Sequence, residues 1–361
     1  MRLRPLIACC VAALAAAPAA LALGTASSIP AVPNLDSIGA TAKFGSVGDR
    51  KLGRAGATIP FWSSSFVAGG VSYPYAMVGT SPFGPAASTT VPTTIVPVRA
   101  VFPDGSVLDG SDRLASVLGS PVFQAAAFTS GRTQYVDAIM RAEFWSAGGS
   151  SAGYHVLLAA PTIAAPLELD VPGGVSQLEL SSRAGHLVGL VKDSWFSNQV
   201  SAYLKEHDAD PHALTIFLTD NVLLYLAKPS ECCEIGFHGS DAQQHGDGAV
   251  TYAFAAYLAP GTFRNAMLAD IHGLSHEVAE WASDPFTDNA APPWTSPLAP
   301  QYGCSSALET GDPLVGVGFL VNGYHPQDEA YLSWFARQTP SLGQFGRYTY
   351  LGTFVGFSPG C

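Results

Sequence analysis

Charged side chains are scarce: Asp, Glu, Lys and Arg together make up 12% of the 361 residues, against 48% hydrophobic ones. Lys and Arg number 17 against 28 Asp and Glu, the formal charge is −11, and no stretch gathers basic residues into a stripe. Phosphate backbones are bound by clustered Lys and Arg, so nucleic acid is excluded as a partner. Cysteine is rare too, six in all and without C-x-x-C spacing, which argues against a cysteine-held metal. A P-loop and a strand-linked G-x-G-x-x-G are both missing, which removes the usual marks of nucleotide chemistry. Beyond the first residues no stretch has the length and apolarity of a membrane span. What remains is a chain with ample material for a large core, as one big domain or two ordinary ones.

The opening MRLRP, followed by LIACCVAALAAAPAALALG, joins a basic start to an apolar run and small residues suited to signal peptidase. Residues 1–26 are therefore expected to be a removed secretory signal, cleaved after Ala22 or Ala26, leaving a secreted or periplasmic protein without membrane attachment. A lipoprotein box ending at Cys9 is disfavoured, because only three apolar residues would precede that cysteine. Signal removal takes Cys9 and Cys10 and leaves Cys232, Cys233, Cys304 and Cys361, an even number that fits two disulfides in an exported protein. Neighbouring cysteines rarely bond each other, so Cys232 and Cys233 are each expected to reach one of the distant pair. The even count also argues against a catalytic cysteine.

Residues 27–60, rich in Gly, Ala, Ser and Pro, read as a loose lead-in. Residues 61–170 read as β-rich, with strands at 93–102 and 154–161 and a helix within 132–146. The region 171–361 is more mixed. It holds a helix at 192–207 capped by Asp193 or Ser194, strand-like runs at 214–227 and 249–259, and a long polar loop at 228–248 between those runs. A further helix is predicted over 264–283, ended by Pro285, and a short one over 328–338. The expected class is α+β: a β-rich N-terminal part followed by a mixed, mostly antiparallel sheet with an active-site helix, as two regions or one compound domain.

The helix at 264–283 draws attention because ligand-type side chains crowd it in a chain poor in charge. Leu268, Ile271, Leu274, Val278 and Trp281 recur at three- and four-residue spacing as an apolar stripe. His272, His276 and Glu280 fall four apart on another stripe, as a helix presents ligands to one ion. His276-Glu277-Val278-Ala279-Glu280 is an H-E-x-x-E pattern: residues i and i+4 can both bind zinc, while the glutamate at i+1 faces the attacking water as general base.

A third ligand is expected from Glu309 in LETGD, with Asp312 next and His238 and His272 as rivals. His272 could instead orient a ligand through a hydrogen bond. Asp284 and Asp288 read as turn caps or calcium ligands. Tyr324 or His325 is a candidate for steadying an oxyanion. His155, His186, His207 and His212 read as structural, and His245 as a solvated loop residue.

The HE-x-x-E helix resembles that of zinc peptidases, with Glu280 where those enzymes usually carry a histidine; the resemblance implies a zincin-like fold. The segments YPYAMVGTSPFG, TQYVDAIMRAEFWS, CCEIGFHG, IHGLSHEVAEWASDPF, YGCSSALETGDPLVG and YHPQDEAYLSWFAR resemble a family of uncharacterised exported bacterial proteins. The HE-x-x-E, the following Asp-Pro and the downstream E-x-G-D also look distantly like Exordium-type phosphate-induced extracellular proteins. The function expected is an exported zinc-dependent hydrolase acting on a peptide or protein, with His276, Glu280 and Glu309 on the metal and Glu277 as base. The alternative is a non-catalytic cell-wall or carbohydrate-binding protein using aromatic loops, for example Trp294 and Tyr302, with a structural ion or none.

Overall fold

The structure, a computed structural model, describes residues 59–181, 185–242, 248–300 and 303–361. The expected signal at 1–26, the lead-in up to residue 58, His245 and Tyr302 lie outside the described residues.

Strands apolar on both sides form the centre. Thr93–Val101 (β1), Leu214–Asp220 (β3) and Ala249–Tyr257 (β5) are buried along nearly their whole length, as strands covered on both faces must be. They run parallel in the order β1-β3-β5, with Ile216 pairing Ile95 on one side and Ala253 on the other. Leu167–Asp170 (β2) adds a parallel strand beside β1, and Gly236–Ala242 (β4) adds an antiparallel one at the far edge, beside β5. The sheet is mixed, as expected for the α+β class, but its centre is parallel and not mostly antiparallel. The central strands are far apart in sequence, and long crossovers, unlike hairpins, return the chain in the same direction. Because β1 pairs with β3, the 61–170 and 171–361 regions share one sheet.

Helices cover both faces. On one, Tyr135–Glu143 (α1) and His272–Ser283 (α3) pack Val136, Met140, Leu274, Val278 and Trp281 against Ile95, Leu214, Ile216, Ala253 and Ala255. On the other, Asp193–Glu206 (α2) packs Phe196, Val200 and Leu204 against Val96, Phe217, Phe254 and Phe237. The alternation of β5 explains the arrangement: Ala253 and Ala255 face α3 and let the helix sit close, while Phe254 faces α2.

Several sequence expectations change here. The run 214–227 is two strands of different sheets, broken at Asn221, whose φ of 51° asparagine tolerates. The polar stretch 228–248 contains Cys232–Glu234 and β4. It reads as a loop because His238 and Ser240 are buried against other polar groups rather than against apolar ones. The helix expected from 264 begins only at His272; Asp270 adopts a φ of 42° and its carboxylate takes the N–H groups of Ile271 and His325. α2 has Lys192 at its cap position, and Asp193 instead accepts a hydrogen bond from Ser197 within the first turn. The last helix shrinks to Leu332–Phe335, leaving Asp328 and Glu329 ahead of it.

Cys304 is bonded to Cys361, and Cys232 is joined to Cys233 rather than to either of them. The adjacent pair lies in the core that includes Phe196 of α2, whereas Cys361 follows Gly360, which bridges to Trp294.

Glu143, the last residue of α1, is fully buried, and its Oε1 accepts the N–H of Leu332 at 2.6 Å. Burial pushes its pKa up from 4.5 to about 7, against the smaller lowering effect of that hydrogen bond. Folding thus favours the protonated form: the contribution is complete below the unfolded value and is lost as pH rises through about 7. The loss corresponds to about 3 kcal/mol. Glu143→Gln keeps the acceptor and removes the charge. In urea unfolding, the variant should gain on the wild type as pH is raised from about 5 to about 8; a difference independent of pH would contradict the assignment.

Candidate metal centre

All twelve residues of α3 are buried, so the helix has no solvent face. Its apolar side docks on the sheet, where Trp281 also donates from Nε1 to Thr251 Oγ1 at 3.0 Å. Its polar side faces β4 and the segments around Glu309–Asp312 and Gln327–Glu329. Two glycines allow this closeness: a Cβ on Gly311 would collide with the His276 ring, and one on Gly236 would collide with Glu277.

His276 Nε2 lies 3.1 Å from Glu280 Oε2, 3.6 Å from Glu277 Oε1 and 3.8 Å from Asp312 Oδ1. Glu280 is fixed by its other oxygen: Oε1 accepts the N–H groups of Gly311 at 2.9 Å and Asp312 at 3.1 Å, which leaves Oε2 for His276. His238 enters from β4. Its Nε2 sits 3.1 Å from the carbonyl oxygen of Asp284, and since a carbonyl only accepts, the ring hydrogen belongs on Nε2. Nδ1 then points at Glu277 Oε2 (3.5 Å) and Glu280 Oε2 (3.6 Å). Glu309 Oε2 lies 3.9 Å from His238 Nε2.

Six carboxylates (Glu277, Glu280, Asp284, Glu309, Asp312 and Glu329) thus surround two histidines, and among the described residues none of the six is paired with Lys or Arg. Burial pushes Glu309, Asp312 and Glu329 well above the usual carboxylate range, and the negative charge of Glu280 adds to it in each case. Burial opposes charge on His276 and His238, but the neighbouring carboxylates outweigh it and hold both well above the ordinary histidine value. Burial raises Glu280 as well; His276 and His238 reverse this and hold it low. The common cause is the burial of several carboxylates around two histidines.

The donors suit a metal. His276, Glu277 and Glu280 form one group of ligand atoms lying within 4.8 Å of one another, and His238, Glu280 and Glu309 form another. Donors about 2.0–2.2 Å from a tetrahedral ion lie about 3.4 Å from each other, and the spacings of Glu277 and Glu280 from the two histidines span 3.1 to 3.6 Å. His238 Nδ1, both oxygens of Glu277, Glu309 Oε2 and Asp312 Oδ1 are buried without a hydrogen bond. These buried His and Glu groups could hold a metal ion.

No protein-family model, curated protein or solved structure matches the chain. The centre therefore rests on its own geometry.

Of the residues singled out in the sequence, His276, Glu277, Glu280, Glu309, Asp312 and His238 come together. Glu309 does so through His238 and Glu280, not beside His276. His272 lies one turn before His276, fully buried, with burial and His276 lowering its pKa to about 3; it is in neither group. Asp284 caps the turn after α3, accepting from the N–H groups of Asp288 and Asn289. Tyr324 donates to the Ser116 carbonyl and His325 pairs with Asp270, so both are engaged elsewhere. Trp294 is buried against Trp334 and Phe335, which removes it from a sugar-binding surface. Gln327 and Glu329 were not anticipated as site residues: Gln327 donates to the Gly311 carbonyl, and Glu329 accepts from Tyr135 Oη and acts on His276. Their only sequence signal is the acidic pair before the last helix, which reads equally as a helix start.

Gly311→Ala tests the close approach behind His276. A methyl group there must displace the imidazole, and divalent-cation affinity should fall by about 10- to 100-fold, the usual loss when a ligand's support is disturbed. Isothermal titration of the metal-free protein measures it; an unchanged affinity would mean that His276 does not depend on this contact.

Proposed function

We propose that the protein is an exported zinc-dependent hydrolase acting on peptide bonds, in which His276 and Glu280 hold the ion and Glu277 is the general base. Asp312, whose Oδ1 is the next carboxylate oxygen to His276, is suited to complete the set, and its side chain is the most exposed of the cluster at 19%. The observation that carries the reading is Glu277. Both its oxygens are buried and free of hydrogen bonds, and Oε1 lies 3.6 Å from His276 Nε2 on the same turn as the ligand pair.

When bound, zinc supplies Lewis acidity and brings the pKa of a water from 15.7 to about 7. Glu277 takes the proton from the attacking water and passes it to the leaving amine. Burial raises the pKa of Glu277, which makes it a stronger base than an exposed glutamate. The Gly311 and Asp312 N–H groups keep Glu280 oriented, and Gly236 leaves the space that Glu277 occupies. The apolar opening of residues 1–26 supports export.

One observation favours a second reading. Except for Asp312, the cluster is almost completely buried, and structural zinc sites are closed whereas catalytic ones keep an open position. In that case the ion holds α3 to β4 and to the 309–312 segment, and the protein is a non-catalytic extracellular one.

Elemental mass spectrometry and peptide hydrolysis on protein purified without a histidine tag separate the two. Zinc should be present at one or more ions per chain in the wild type and reduced in His276→Ala. Glu277→Gln should keep its zinc while kcat/KM falls by about 10²- to 10⁴-fold. Undiminished hydrolysis by Glu277→Gln would exclude the mechanism, and zinc without any turnover would favour the structural reading.

A further inference from the structure

We propose that the cluster holds a second divalent cation, bound by His238, Glu280 and Glu309, with Glu280 shared between the two ions. This rests on the metal-binding reading of the site and not on its hydrolytic chemistry.

Glu280 is placed to be shared. Its Oε1 is taken by two backbone N–H groups, while the single oxygen Oε2 lies 3.1 Å from His276 Nε2 and 3.6 Å from His238 Nδ1. Glu277 repeats the pattern with one oxygen for each ring: Oε1 is 3.6 Å from His276 Nε2, and Oε2 is 3.5 Å from His238 Nδ1. The two histidines nevertheless do not fall in one ligand group, and each meets Glu280 in a group of its own. Glu280, set between two histidine-bearing halves, suits a pair of ions about 3.5–4 Å apart.

His238 has the orientation of a metal ligand. Its Nε2 is bonded to the Asp284 carbonyl, the kind of support that fixes the tautomer of ligating imidazoles and directs the lone pair of the other nitrogen toward the ion. Nδ1 makes no hydrogen bond and looks onto carboxylate oxygens, so in the neutral ring its lone pair is directed to where a proton or a cation would sit. Glu309 Oε2, at the other end of the group, is likewise buried without a hydrogen bond. One imidazole with two carboxylates favours zinc or manganese over a soft, thiolate-seeking metal. A dication beside His276 lies outside the group formed by His238, Glu280 and Glu309, whose Glu309 Oε2 faces His238 only at 3.9 Å.

The test is zinc stoichiometry, by titration calorimetry and elemental mass spectrometry, on full-length protein stripped with a chelator. The wild type should take two ions per chain. His238→Ala and the milder Glu309→Gln should each take one, and His276→Ala should also retain one. Saturation of the wild type at a single ion overturns the second site, whether that ion is lost only in His276→Ala or in both histidine variants; the metal reading itself survives either result. No binding in any protein would sink both. Should a variant fail to fold, as judged by circular dichroism, the wild-type stoichiometry alone decides.

Discussion

The structure depends on how a surplus of buried negative charge is neutralised. Glu277, Glu280, Glu309, Asp312 and Glu329 converge on His276 and His238 in the interior, with no Lys or Arg paired to them among the described residues. An uncompensated buried ion costs several kcal/mol, more than the net stability of many domains can absorb repeatedly. Protons can meet the need, as the raised carboxyl values indicate, but a divalent cation meets it with one particle and with the donor spacing that is present. An ion held there would tie α3 to β4 and to the 309–312 segment.

The surrounding architecture holds these groups in place. α3 is clamped at both ends: at its start, Asp270 takes the N–H of Ile271 and pairs with His325, and at its end Asn289 donates to the Ser283 carbonyl and to the Ala76 carbonyl in the strand Val71–Val78. The antiparallel edge strand β4 runs past the polar side of the helix and delivers His238, while Phe237 beside it points to the opposite core, as the period of a strand dictates. The loop carrying Gly311 and Asp312 closes the remaining side through its backbone N–H groups. Two antagonistic demands are thereby met at once, burial of the helix for stability and convergence of its polar side on a common point.

Burial also shapes what the site can do. A low-dielectric interior strengthens each electrostatic interaction and leaves Glu277 without competing hydrogen bonds, which suits a base. It restricts approach equally, and Asp312 is the member that keeps contact with solvent. The balance between these effects is what separates a catalytic centre from a structural one. With Trp294 enclosed against Trp334, the aromatic loops lose part of their appeal as a sugar platform.

Local periodicity by itself determined a good deal: the apolar strands β1, β3 and β5, the three helices, and the four-residue interval that stacks His276 over Glu280. These are short-range properties, written in the spacing of neighbours. The start of α3 at His272, the parallel order of the central strands and the pairing of Cys304 with Cys361 were decided by the tertiary structure, because each depends on segments distant in the chain. The same holds for the second half of the site. His238 sits in a stretch of glycine and polar residues that reads as loop, and becomes a buried strand only because its partners, Asp284 and the carboxylates of α3, lie some 40 residues later. A sequence can declare a ligand pair on one helix; which further side chains meet it depends on where long-range packing brings the backbone.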